Sequence, residues 1–335
     1  MVSILQDLEI FMVQNSNDTN VMISNNLSKD WCNWAKLVAA LLVAVSHYST
    51  CVVINNHWSD SAFLRFWYQG GNIGVAIFFF LSGYGLMESE KKHHLGVVEF
   101  LKKRLSKIYL PVLLVSVFWI PLYYLFVQKS ADGVTTWGVL YDVLWGFRDC
   151  VLWFVKVLIL LYCLFTCCCA LYKRGYVVVS HILFIASVLG ATLLAHHLGY
   201  PFVSIPLFGV GVYASSSKGK SKSVSRLPMS MVLVVVFMIL NALIFIVLRD
   251  NHFAHGVTNG IVLLVMLLCI YSLNKIPPQR LSGYMIDATY MIYLVHFKVL
   301  ELMVENWGHI PFWVWALMTV VMTIIFTSLK RFIKI

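Results

Sequence analysis

Lys36 and His47 are the residues best placed to do chemistry, because both fall inside an apolar run where an ionisable group is costly. Eleven positions separate them. On a helix that spacing returns to within about 20° of the same face, with about 16 Å between the two along the axis. One stripe then carries a cation at its entrance and an imidazole near mid-bilayer. The arrangement suits a long substrate with an anionic head and a reactive tail, such as the pantetheine arm of coenzyme A. Lys36 would hold the phosphates as a point charge. His47 would meet the acyl group as a general base. From spacing alone a blander reading stays open, in which Lys36 snorkels to the interface and His47 bonds a neighbouring helix.

Other groups invite similar pairs of readings. Arg104 and Lys107 lie in a basic stretch, Lys102 to Lys107, that can either bind phosphates or hold the chain against anionic lipid. Ser82-Gly83 can line a donor tunnel or let two helices approach closely. Lys156 sits about a turn inside its apolar run, suited to snorkelling or to an acceptor contact. His296 falls in the outer half of a late run and can face an acceptor cavity; Lys298 and Glu301, three apart, read as a structural ion pair. His196 and His197 read as solvated loop residues. Eight cysteines, three of them consecutive at 167–169, lack the spacing of a zinc or redox site, so no metal is expected. Cys51 and Cys150 can share an outer face, which leaves a disulfide open.

The elements that must carry these residues are membrane spans. Of 335 residues 60% are hydrophobic and 12% charged, and the mean hydropathy is +0.81. A soluble domain carries roughly twice that share of charge, about 25%. Ten apolar runs are long enough to read as helices crossing a bilayer: about 34–56, 70–88, 108–128, 151–172, 177–195, 200–215, 229–248, 255–273, 286–304 and 311–329. Pro201 and Pro206 should bend or shorten the sixth. With the N-terminus inside, 17 of the 25 Lys and Arg residues fall in inner loops and four in outer loops. This bias puts both termini in the cytoplasm. The fold expected is an all-α integral membrane bundle of about ten transmembrane helices. Residues 1–30 form a polar tail or surface helix and 31–335 the transmembrane domain. The net charge of +10 is scattered between spans, without a basic arm or nucleic-acid motif, so no nucleic-acid partner is expected.

The stretch from Lys36 to His47 resembles the first helix of the acyltransferase-3 family of bacterial membrane O-acyltransferases, which carries Arg, ten residues, then His. Lys36 replaces that Arg, keeping the charge and losing bidentate geometry. Further likenesses follow in the family's order. Gly74 to Tyr84, ending Ser82-Gly83-Tyr84, resembles a motif ending Ser-Gly-Phe. Phe100 to Pro111, with Arg104 and Lys107, resembles the basic stretch before the third helix, where Arg is usual at both. Leu152-Trp153-Phe154 followed by Tyr162 resembles a fourth-helix motif, and Ala288-Thr-Tyr290-Met-Ile-Tyr293-Leu-Val-His296 resembles one near the end.

This resemblance, covering about residues 30–330, implies transfer of an acyl group from acyl-CoA to a hydroxyl of an extracytoplasmic glycan or lipid-linked sugar. Acetyl is the group expected, with acyl-CoA as co-substrate and no cofactor bound permanently. His47 would be catalytic; Lys36, Arg104, Lys107, Ser82, Gly83 and Tyr84 would bind the donor. Trp153, Lys156, Tyr290, Tyr293 and His296 would lie on the acceptor side. The location implied is the bacterial cytoplasmic membrane, among membrane lipids. A transporter or flippase of a glycolipid or small metabolite is the alternative, and a scaffold without chemistry is a third class.

Overall fold

The computed structural model describes residues 27–55, 67, 70–93, 96–128, 135–145, 152–216, 226–273, 278–308 and 310–333. The tail over 1–26 and Cys150 therefore lie outside the described residues, and Cys51 is a free thiol. Eleven α-helices occupy the described chain: α1 Lys29–Asn55, α2 Gly70–His93, α3 Val97–Leu122, α4 Thr136–Trp145, α5 Trp153–Lys173, α6 Val177–His197, α7 Pro206–Ser216, α8 Arg226–Leu248, α9 Asn251–Leu273, α10 Gly283–Trp307 and α11 Phe312–Phe332. Eight of them are long and apolar enough to cross a membrane. The short α7 and the more polar α10 complete the ten expected spans. The protein is an all-helical, multi-pass membrane protein.

Long-range bonds fix which helix ends lie together. Glu90 at the end of α2 meets Lys173 at the end of α5 at 2.5 Å. Glu88 and Lys91 on α2 bond Ser215 at the end of α7. Asp287 in the first turns of α10 pairs with Lys330 (2.6 Å) and Arg331 (3.0 Å) at the end of α11. Trp34 near the start of α1 donates to the Gln279 carbonyl just before α10 (2.9 Å). Alternate helix ends thus share one end of the bundle, hereafter the basic end. At the far end the Tyr48 hydroxyl donates to Ile310 O (2.7 Å), and Asn306 donates to Phe126 O (3.1 Å).

Local chemistry accounts for the irregular parts. Pro121 removes a backbone donor near the end of α3, and the ladder passes into a π-helical turn, Tyr123–Val127, closed by Gln128 N to Tyr123 O at 2.9 Å. α4 is an addition to the sequence expectation: its ten residues lie alongside α3, with the Tyr124 hydroxyl donating to Asp142 (2.7 Å). The sixth span is shortened as its prolines suggested. Residues 200–205 run in turns, with Ile205 N bonded to Phe202 O and the Asn259 amide donating to Ser204 Oγ (both 3.0 Å). α7 then begins at Pro206, whose missing N–H costs nothing at a helix start. Non-helical backbone at membrane depth is tolerated where it is buried or lines a cavity, and this segment does the latter.

Candidate active site

α1 runs unbroken through Lys36 and His47, so the two keep the axial separation of about 16 Å that an α-helix imposes. His47 Nδ1 lies 2.8 Å from His296 Nε2 on α10. The rings are parallel within 5° and their centroids 5.1 Å apart, which with so short an N–N distance means edge-to-edge bonding in one plane. His296 Nδ1 lies 2.9 Å from Ile292 O. A carbonyl only accepts, so His296 Nδ1 carries the hydrogen, and a neutral imidazole has one N–H. His296 Nε2 is therefore the acceptor and His47 Nδ1–H the donor. The His47 Nε2 lone pair is left for other use. Trp315 donates to His296 O (3.0 Å), and Phe297 packs edge-on to His47, holding both rings in place.

His47 stands in the lining of a cavity of about 430 Å³ that continues past Ser46, Thr50 and Asn72 to the far end of the bundle. Its walls are aromatic. Trp153 and Tyr200 stack at 5.9 Å, and Tyr293 closes the floor against Phe154 and Phe78. The turns between α6 and α7 supply Tyr200 to Phe202, and α9 supplies His252 and His255. Along α10, Tyr290, Tyr293 and His296 follow at three-residue steps on one face. Tyr290 and Tyr293 lie parallel within 5° at 6.4 Å.

At the basic end Lys36 and Arg104 lie close enough to repel one another, with Lys29 also near Lys36. Lys107 feels Lys29, Lys103, Arg104 and Lys330 in the same way. Among the described residues no carboxylate is bonded to Lys36, Arg104 or Lys107. Tyr162 on α5 lies near Arg104 and bonds Ser82. The Tyr290 hydroxyl donates to Ile108 O (3.0 Å), one residue beyond Lys107. Lys36, Arg104 and Lys107 thus gather positive charge at this end, beside Lys330, whose charge Asp287 balances. Among the described residues no group of three or more His, Cys, Asp or Glu is arranged to hold a metal.

An acyltransferase domain family, acyltransferase-3, matches residues 29–331, from the first residue of α1 nearly to the end of α11. The chain belongs to this family. No curated protein and no solved structure matches it.

In this family member the residues singled out in the sequence divide among four places. His47, Trp153 and Tyr293 line the far-end cavity. Lys36, Arg104, Lys107, Ser82 and, at the level of Ile108, Tyr290 gather toward the basic end; Tyr290 is thus displaced from the acceptor side expected for it. His296 is fully buried and bonds His47 instead of facing the cavity. Lys156 is turned away altogether. One turn on from Trp153, it lines a separate groove against α3 and α4 together with Tyr109 and Leu144.

Gly83 and Tyr84 have packing roles. A Cβ on Gly83 would stand 2.0 Å from Phe208 O, so α2 and α7 touch there backbone to backbone. The Tyr84 hydroxyl accepts from Leu27 N (3.1 Å) and fastens the chain leading into α1. Lys298 lies 5.5 Å over the Trp119 ring, within electrostatic range of Glu301. Sequence reasoning missed Asn72, Tyr200, His252 and His255; His196, read as solvated, is exposed and also lines the mouth. The histidine pattern at 252 and 255, three apart at a helix start, was the available signal.

Proposed function

We propose that this protein transfers an acyl group, acetyl by preference, from acyl-CoA at the basic end to a hydroxyl presented in the far-end cavity. The basic end faces the cytoplasm and the cavity opens outside it, in a bacterial inner membrane. The acceptor is a glycan or lipid-linked sugar. One observation carries the reading: His47 commits Nδ1 to His296 and leaves Nε2 as a lone pair in the cavity lining.

The steps balance with residues of this chain alone. The CoA phosphates rest among Lys36, Arg104 and Lys107, and the pantetheine arm runs along α1, parting the Tyr290–Tyr293 stack that closes the cavity floor, to bring its thioester to His47. His47 Nε2 takes the proton of the acceptor hydroxyl while the oxygen attacks the thioester carbonyl. The carbon–sulfur bond breaks, the new ester forms, and the imidazolium returns the proton to the departing sulfur as free CoA thiol. His296 Nε2 accepts from His47 Nδ1–H throughout and stabilises the transient cation.

The test is acetyl-CoA binding to protein in nanodiscs, for wild type, Lys36→Ala and His47→Ala, followed by turnover. Saturable binding weakened by Lys36→Ala and retained by His47→Ala, with turnover abolished by His47→Ala, is expected. No binding of acetyl-CoA or longer acyl-CoAs by folded wild type would sink the proposal and favour a transporter.

A further inference from the structure

The mouth of the far-end cavity is built from imidazoles. His196 lies in the last turn of α6, while His252 and His255 lie in the first turns of α9, three apart and so on one face. Phe202 stands between two of them, 4.6 Å from the His196 ring and 5.6 Å from the His252 ring. His196 and His252 are exposed and His255 is half-buried, so all three meet whatever enters. Among the described residues no Asp or Glu lines this cavity. Asp250, just before α9, turns a carboxylate oxygen to its own helix: Oδ1 accepts from His252 N at 2.8 Å.

A neutral sugar is ringed by hydroxyls that both donate and accept, so a site made for it needs strong acceptors as well as donors. This cavity offers N–H donors from the imidazoles and the Asn72 amide, and its side-chain acceptors are neutral ones, the remaining imidazole nitrogens, the Asn72 amide oxygen and the Ser46 and Thr50 hydroxyls, with no carboxylate among the described lining residues. The positive end of the 23-residue α9 dipole points the same way. Donors without carboxylates suit an anion. We propose that the acceptor carries an anionic group, a sugar carboxylate or a sugar phosphate, which His196, His252 and His255 hold at the mouth. Its ring lies against Trp153 and Tyr200, and its hydroxyl reaches His47 at the floor. This assignment rests on the acyl-transfer reading and adds the class of acceptor.

The experiment compares a glucuronate-containing oligosaccharide with its carboxyl-reduced twin and a 6-phosphorylated twin. Binding to the full-length protein in nanodiscs is measured by calorimetry, with acetyl-CoA binding recorded in parallel as the check on folding. Wild type should bind one of the anionic sugars at least tenfold more tightly than the neutral twin, and which one it prefers separates carboxylate from phosphate. In the His252→Gln/His255→Gln variant that preference should fall below about threefold while acetyl-CoA binding persists. Equal binding of all three sugars, binding of none, or a preference that survives the double substitution would overturn the proposal. Anion preference without acetyl-CoA binding would instead leave the mouth site standing and remove the transferase reading.

Discussion

His296 offers the sharpest single-residue test, because its part in the site is to fix a proton on its neighbour. Ile292 O determines which nitrogen of His296 bears hydrogen, and that determines which nitrogen of His47 keeps a lone pair. Hydrogen-bond partners that orient metal-ligating histidines are typically worth about 10–100-fold, and a loss of that order is expected for an oriented imidazole here. His296→Ala should therefore lower kcat by about that factor and leave acetyl-CoA affinity unchanged. His296→Gln, which can offer an amide oxygen to His47 Nδ1–H, should recover part of the loss. A merely structural His296 would show equal losses in both variants, together with a lowered melting temperature. Lys36→Ala belongs at the same scale. Removing one of several clustered cations should raise the apparent KM for acetyl-CoA several-fold with little change in kcat, and the effect should shrink at high salt as the remaining charges are screened. An unchanged KM would take Lys36 out of the donor site.

Between elements, the α2–α7 contact is the most exacting. Gly83 and Gly211 bring the two backbones together; a Cβ on Gly211 would stand 2.1 Å from Phe80 O. Gly83→Ala must push the helices apart, and overpacking of this kind costs about 1–3 kcal/mol. Gly85→Ala is the control, since nothing lies within 4 Å of its added carbon. The first variant should melt several degrees below wild type in detergent and the second at or above it; equal melting would mean that the contact relaxes freely. The elements themselves were largely legible, because long apolar runs have few alternatives to spanning a bilayer. The ten residues of α4 were not, being too short and too mixed to read as a span. Of the site, His47 was visible from its own position in a span. Its partner could not be read in the same way. The bond to His296 joins positions 249 apart and depends on how α1 meets α10. Lys156 could not be placed for the opposite reason: its depth was readable, but which flank of α5 it occupies depends on where α3 packs.

For the molecule as a whole the question is sidedness, and it turns on its least conventional span. The charge bias requires an even number of crossings, yet the 11 residues of α7 rise only about 16 Å of a hydrocarbon core near 30 Å. The turns over 200–205 must supply the rest. Ser215 is tied to Glu88 and Lys91 at the end of α2, so α7 ends on the side where α2 ends. Asp287 with Lys330 and Arg331 places the end of α11 beside the start of α10, on that same side. A protease site inserted within 217–225, and another at the C-terminus, should therefore both resist external protease in right-side-out vesicles and be cut when the vesicles are inverted. A site inserted beside Arg249, between α8 and α9, should behave in the opposite way. Cleavage at 217–225 from outside would mean that α7 does not complete a crossing. The cavity and the cation cluster would then lose their separate compartments, and a donor on one side could no longer serve an acceptor on the other.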